Sequence, residues 1–105
     1  MKEITVHDLK KKMDAGDDFL LLDVRDQFET HISKLEQFVL IPLDQLPARF
    51  DELEKEKETV VLCRSGMRSA RACELLSKNG FENVWNLKGG INDWAKEIDT
   101  TLPVY

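Results

Sequence analysis

The sequence predicts an α/β fold: an open, mostly parallel five-stranded sheet with helices on both faces. Two observations predict it. Short runs of aliphatic and β-branched residues alternate with segments of helical period along all 105 residues. Two of those runs, residues 19–24 and 59–62, are almost continuously apolar, as expected of strands covered on both faces of a parallel sheet.

The elements follow in chain order. Ile4 to Val6 is a short strand candidate. Leu9 and Met13, four apart among lysines, mark one face of a short helix that His7 or Asp8 would cap and Gly16 would end. Phe19 to Val24 is the second strand, interrupted only by Asp23, and Val39 to Ile41 the third. Pro42 breaks that strand. Leu43, Leu46, Phe50 and Leu53 then recur at roughly helical spacing, with Pro47 placing a turn before a helix that runs to about Glu56. Thr59 to Leu62 is the clearest strand. The polar segment Cys63-Arg64-Ser65-Gly66-Met67-Arg68 leads into a helix from Ser69 to Lys78, with Gly80 as its terminator. Val84 to Leu87 is the last strand. Gly89-Gly90 makes a turn, and Ile91, Trp94, Ala95 and Ile98 mark a final helix that Pro103 stops.

Composition narrows the function. No apolar run approaches the ~20 residues that a membrane span needs. Residues 1–5 lack the apolar stretch of a secretory signal, so a cytoplasmic location is expected. Twenty acidic residues against fifteen basic ones give a net charge of −5, unsuited to following nucleic-acid phosphates. Two cysteines, Cys63 and Cys73, make no disulfide scaffold, and in a reducing compartment both are thiols.

In parallel α/β sheets, sites form beyond the C-terminal ends of strands, and Cys63 follows the clearest strand directly. Successive backbone N–H groups in a tight strand-to-helix loop can converge on an anion, and a helix N-terminus adds its unpaired donors and positive dipole end. A thiolate in such a cradle is favoured over a thiol, and the thiolate is the nucleophile. Gly66 permits the backbone angles of a tight loop. Arg64 and Arg68 place two cations in the loop and Arg71 follows one turn later. No acidic residue lies between Cys63 and Cys73, a local inversion of sign that points to an anionic substrate. Ser65 and Ser69 add hydroxyl donors, and Met67 completes the loop. Cys73 lies mid-helix beside Ala72 and near Leu76, as a core residue would.

Here the sequence resembles a single-domain rhodanese, over nearly the whole chain, residues 1–105 forming one rhodanese-like domain. Leu22-Asp23-Val24-Arg25 with Glu29, then His31-Ile32 and Ile41-Pro42-Leu43, resemble the family's N-terminal signatures. Cys63-Arg64-Ser65-Gly66-Met67-Arg68-Ser69 resembles the active-site loop with the six-residue length of sulfurtransferases. Gly80-Phe81 with Val84, and Leu87-Lys88-Gly89-Gly90 with Trp94, resemble the C-terminal signature. Thr30 stands where the family usually has glycine, and Ser33 to Leu40 replaces a shorter glycine-alanine stretch. That variant, residues 43–50 and the ending Leu102-Pro103-Val104-Tyr105 are similar to the rhodanese domain fused to E1-like adenylyltransferases of molybdopterin synthesis.

The resemblance implies a sulfurtransferase. Cys63 takes a sulfane sulfur from a small anionic donor such as thiosulfate, becomes a persulfide and passes the sulfur to a thiol or a sulfur-carrier protein. Amides from Arg64 to Ser69 would hold the sulfur anion, Arg64 and Arg68 would attract the donor, and no metal or organic cofactor is required. Asp23 and Arg25 are candidates for support. Either Asp23 faces the loop, or the pair belongs to a buried ion-pair system, for instance Arg25 with Glu29. His31 is read as satisfying nearby backbone groups, and Trp85 and Trp94 as packing residues. The alternatives are a rhodanese-fold phosphatase or arsenate reductase, and a persulfide-carrying or docking module. The first needs one more loop residue than the four between Cys63 and Arg68.

Overall fold

The computed structural model describes residues 1–105. Five parallel strands form one sheet in the order β1-β5-β4-β2-β3, with β1 at Glu3–Ile4, β2 at Leu20–Asp23, β3 at Val39–Leu40, β4 at Thr59–Leu62 and β5 at Val84–Leu87. The helices are α1 (Val6–Asp14), α2 (Leu46–Arg49), α3 (Met67–Lys78) and α4 (Gly90–Glu97). The predicted class and strand count hold. The edge strands are two residues long, which leaves little unpaired backbone for another chain to add to.

The two-residue period of the central strands explains why helices cover both faces. Leu22 of β2, with Val61 of β4 and Cys63 just beyond it, faces a cluster completed by Ala72, Cys73 and Leu76 of α3 and by Leu46 and Phe81. Leu21, Val60 and Leu62, one residue out of phase, face the other cluster with Val6 and Leu9 of α1 and Ile91 and Trp94 of α4. All four residues of β4 are buried, so this strand fixes the position of whatever follows it.

Several boundaries differ from the expectations for physical reasons. Thr5, rather than His7 or Asp8, caps α1: its Oγ1 accepts from the Asp8 amide at 3.1 Å, so Val6 enters the helix instead of extending β1. Pro47 lies in the first turn of α2, where a missing N–H costs nothing, and so does not delay the helix. The segment from Leu43 is 3-10 turn, one α turn and 3-10 turn, and it ends at Glu52, well short of Glu56. α3 starts at Met67, two residues early, because Gly66 at φ 109° makes the turn into it. α4 ends at Glu97, before Pro103.

Candidate functional site

Cys63 leaves β4 at the C-terminal edge of the sheet, and its backbone is held from behind by α4. The Ile91 amide donates to the Cys63 carbonyl at 2.9 Å and the Asn92 amide to the Arg64 carbonyl at 3.1 Å. Both carbonyls are thereby spent on the N-terminus of a helix, an arrangement that leaves the following amides free to turn inward. The contact is close: a Cβ at Gly90, whose φ is +62°, would lie 2.4 Å from the Arg64 carbonyl oxygen and 2.6 Å from that of Cys63. Gly89-Gly90 was expected to form a turn; its larger role is this clamp.

The sulfur then occupies the place of a helix cap. Gly66 has no side chain to cap α3, and the Cys63 Sγ accepts from the Gly66 amide at 3.1 Å and the Ser69 amide at 3.4 Å. The Ser69 hydroxyl is 3.3 Å away. In the thiol form the bonds close a ring. The thiol donates to Ser69 Oγ, which donates to Asn86 Oδ1 at 2.5 Å, while Asn86 Nδ2 donates to the Gly66 carbonyl at 3.1 Å. The Gly66 amide returns the ring to the sulfur. Asn86 is a polar residue in the apolar strand Val84-Trp85-Asn86-Leu87, and that mismatch is the one sequence signal that could have singled it out.

Burial is the largest influence on this thiol and would push its pKa up. The Ser69 hydroxyl and the amides of Ser69, Gly66 and Ser65 together outweigh burial and hold Cys63 below the ordinary thiol value. When the thiol ionises, the sulfur can only accept, and the Ser69 hydroxyl becomes its donor by turning from Asn86. The opposite case lies nearby. Cys73 has no such donors, and burial, aided by the neighbouring Cys63 charge, raises it to about 12. It is the core residue expected. Cys63 is itself buried, yet it forms part of the floor of an open pocket of about 340 Å³ lined also by Arg64, Ser65, Met67, Arg68 and Arg71.

The supporting charges follow the second expected arrangement, a buried ion-pair system, with a change of partner for Glu29. Asp23 does not face the loop. Both its oxygens accept from Arg25, with Arg25 Nη2 at 2.8 Å from Oδ2, and the pair is fully buried. Arg25 also donates to the carbonyls of Ser33 and Glu29 and to Tyr105 Oη, so every edge of its guanidinium is used. The Glu29 carboxylate pairs with Arg68, not Arg25, through two bonds of 2.7 and 2.8 Å. Arg68 first, then Tyr105 and the Asp26 amide, hold Glu29 at a pKa of about 2 against the cost of burial. This stabilisation is fully present above the unfolded value near 4.5 and declines as pH falls toward 2. Arg68 therefore ties the start of α3 to the 3-10 turn Gln27–His31.

Tyr105 joins these groups. Its Oη bonds Arg25 and Glu29, its main chain pairs with the Asn92 side chain, and its ring lies 4.9 Å from the Arg64 guanidinium, whose Nε donates to the Tyr105 main-chain oxygen at 2.5 Å. No periodicity or motif marked this role. Of the other expected residues, Met67 is exposed at the pocket rim. His31 is exposed and makes no side-chain hydrogen bond, so it does not satisfy backbone groups as expected. Trp94 packs from α4 into the core and Trp85 is half-buried against the same cluster; neither lines the pocket.

A strand, a tight turn and a helix that together close amides on one cysteine define an anion-stabilised thiol, a class of site suited to nucleophilic group transfer. The comparisons narrow it. The chain belongs to the rhodanese-like domain family, whose profile matches residues 5–97. It is 39% identical over 97 residues to the putative sulfurtransferase YtwF of Bacillus subtilis, covering 92% of this chain and 93% of that one. It is 38% identical to the adenylyltransferase and sulfurtransferase MOCS3-2 of Zea mays over 97% of this chain, but only 23% of that longer protein. Among solved structures, a rhodanese-related protein from Thermoplasma volcanium superposes with a TM-score of 0.85 at 33% identity, covering 100% of this chain and 98% of that one. The expected family relationship holds, and with it membership among rhodanese-like sulfurtransferases.

Proposed function

We propose that residues 1–105 act as a single rhodanese domain that moves a sulfane sulfur from a small anionic donor such as thiosulfate to a thiophilic acceptor through a persulfide on Cys63. The observation that carries this is the set of amide and hydroxyl donors converging on Sγ. The Cys63 thiolate attacks the outer sulfur of thiosulfate. A sulfur–sulfur bond forms to Cys63, the bond to the sulfonate sulfur breaks, and sulfite leaves with its electron pair. The donors that stabilised the thiolate lie where the negative charge of the reacting sulfur must be held, and the open pocket leaves room for a second sulfur. An acceptor thiolate then attacks the terminal sulfur and Cys63 leaves as thiolate, ready for the next cycle.

A low-molecular-weight thiol, or a sulfur-carrier protein that presents a thiol, suits this second step, since either brings a sulfur nucleophile to an open pocket. The resting Cys63 thiol requires surroundings that keep thiols reduced, which fits the reducing cytoplasm. No helix is long and apolar enough to cross a membrane.

Mass spectrometry of the intact protein after exposure to thiosulfate tests the proposal. The expected result is a gain of one sulfur atom on Cys63, reversed by dithiothreitol through thiol exchange. Absence of the adduct with thiosulfate and with polysulfide alike would overturn transfer and leave a docking role.

A further inference from the structure

Three arginines border the pocket beside Cys63, and the structure makes them unequal. Arg68 gives both Nη groups to Glu29, a carboxylate only 5% exposed. To bind a donor it would have to abandon a buried negative charge, which is strongly unfavourable. Arg64 has one edge bound to the Tyr105 main chain and one face against the Tyr105 ring, which fixes its plane. Arg71 stands one helical turn beyond Arg68, exposed, and takes part in no ion pair and no side-chain hydrogen bond. In a chain of net charge −5 it is the one cation at this pocket with every donor unspent.

We propose that Arg71 is the specificity-determining residue of the site and binds the charged end of a small anionic sulfur donor, while Arg68 is a positioning residue held by Glu29. The assignment rests on the sulfur-transfer reading above. The sulfur under attack must reach the buried Sγ, so the charged end of the donor projects toward the pocket mouth, where Arg71 lies. A guanidinium there can give two parallel hydrogen bonds to the oxygens of a sulfonate or carboxylate. The same contact would hold the departing sulfite.

The test pairs two readouts on Arg71→Gln, an exposed position where the change leaves folding intact. In thiosulfate turnover, KM should rise about tenfold with kcat little changed, the loss expected of one charge-assisted hydrogen bond. Independently, Cys63 is alkylated with iodoacetate and with iodoacetamide; in each a carbon–sulfur bond forms and iodide leaves, but only iodoacetate carries a charge. The iodoacetate-to-iodoacetamide rate ratio should fall several-fold, the iodoacetamide rate should stay unchanged, and Arg71→Lys should recover part of the ratio. An unchanged ratio would overturn the assignment, as would an equal loss with both reagents, which would mean that Arg71 acts on the thiolate itself. Failure of the parent protein to accept sulfur from thiosulfate and from polysulfide alike would overturn the transfer reading and with it the donor role of Arg71, whereas the alkylation ratio reports separately on Arg71 as an anion site.

Discussion

Cys63→Ser is expected to reduce sulfur transfer by more than about a thousandfold, because a hydroxyl at this position is neither ionised near neutral pH nor able to form a persulfide. The fold should survive. Serine can accept the Gly66 and Ser69 amides that now reach Sγ, so the cap on α3 is kept, and stability should change by no more than about 1 kcal/mol. Cys73→Ala is the control. It removes a sulfur buried in the core beneath the sheet, at a cost of about 1–2 kcal/mol, and should leave transfer nearly intact. Thiocyanate formation from cyanide and thiosulfate, measured beside thermal unfolding, separates the two. Residual turnover in Cys63→Ser near that of the parent would show that another group carries the sulfur.

Gly90→Ala is the largest effect expected from a change outside the loop. Two penalties add there. A φ of +62° costs an L-residue about 1–2 kcal/mol, and a methyl group 2.4 Å from the Arg64 oxygen must displace backbone, for about 1–3 kcal/mol more. For a chain of this length that sum lowers the melting temperature by roughly 10–20 °C. Gly16→Ala provides the comparison, since Gly16 also has positive φ, +69°, but nothing lies within 4 Å of its added Cβ. Its loss should be limited to the conformational part. Because the α4 clamp holds the carbonyls of Cys63 and Arg64, Gly90→Ala should also raise the Cys63 pKa, whereas Gly16→Ala should not. Equal melting points for the two variants, with an unshifted thiol, would contradict the clamp.

Much of this site was legible in the sequence, and what was missed has a common cause. The strand-loop-helix around Cys63 is local in sequence, so a short β-branched run followed by a cysteine, a glycine and a helical pattern was enough to locate it. Helix ends were less legible. Gly66 could be read as a loop residue, but only its left-handed geometry puts the start of α3 at Met67 rather than Ser69. The missed partners all come from distant segments. Asn86 reaches the loop from β5, Gly90 from α4, Glu29 from the turn after β2, and Tyr105 from the C-terminal segment. Such contacts depend on how layers stack, which periodicity does not encode. The same applies to Arg68: its charge was evident, but its commitment to Glu29 was not, and that commitment moves the anion-binding role to Arg71.

Donors gathered around the Cys63 sulfur outweigh its burial. The most direct measurement is the pH dependence of Cys63 alkylation by iodoacetamide in a Cys73→Ala background, where only one thiol can react. The predicted midpoint lies below that of an ordinary cysteine. Because the folded pKa is the lower one, the stabilisation it brings is complete above the unfolded value and is lost as pH falls through the folded value. Ser69→Ala should move the midpoint upward. A parent midpoint at or above that of free cysteine would mean that burial wins over the converging donors.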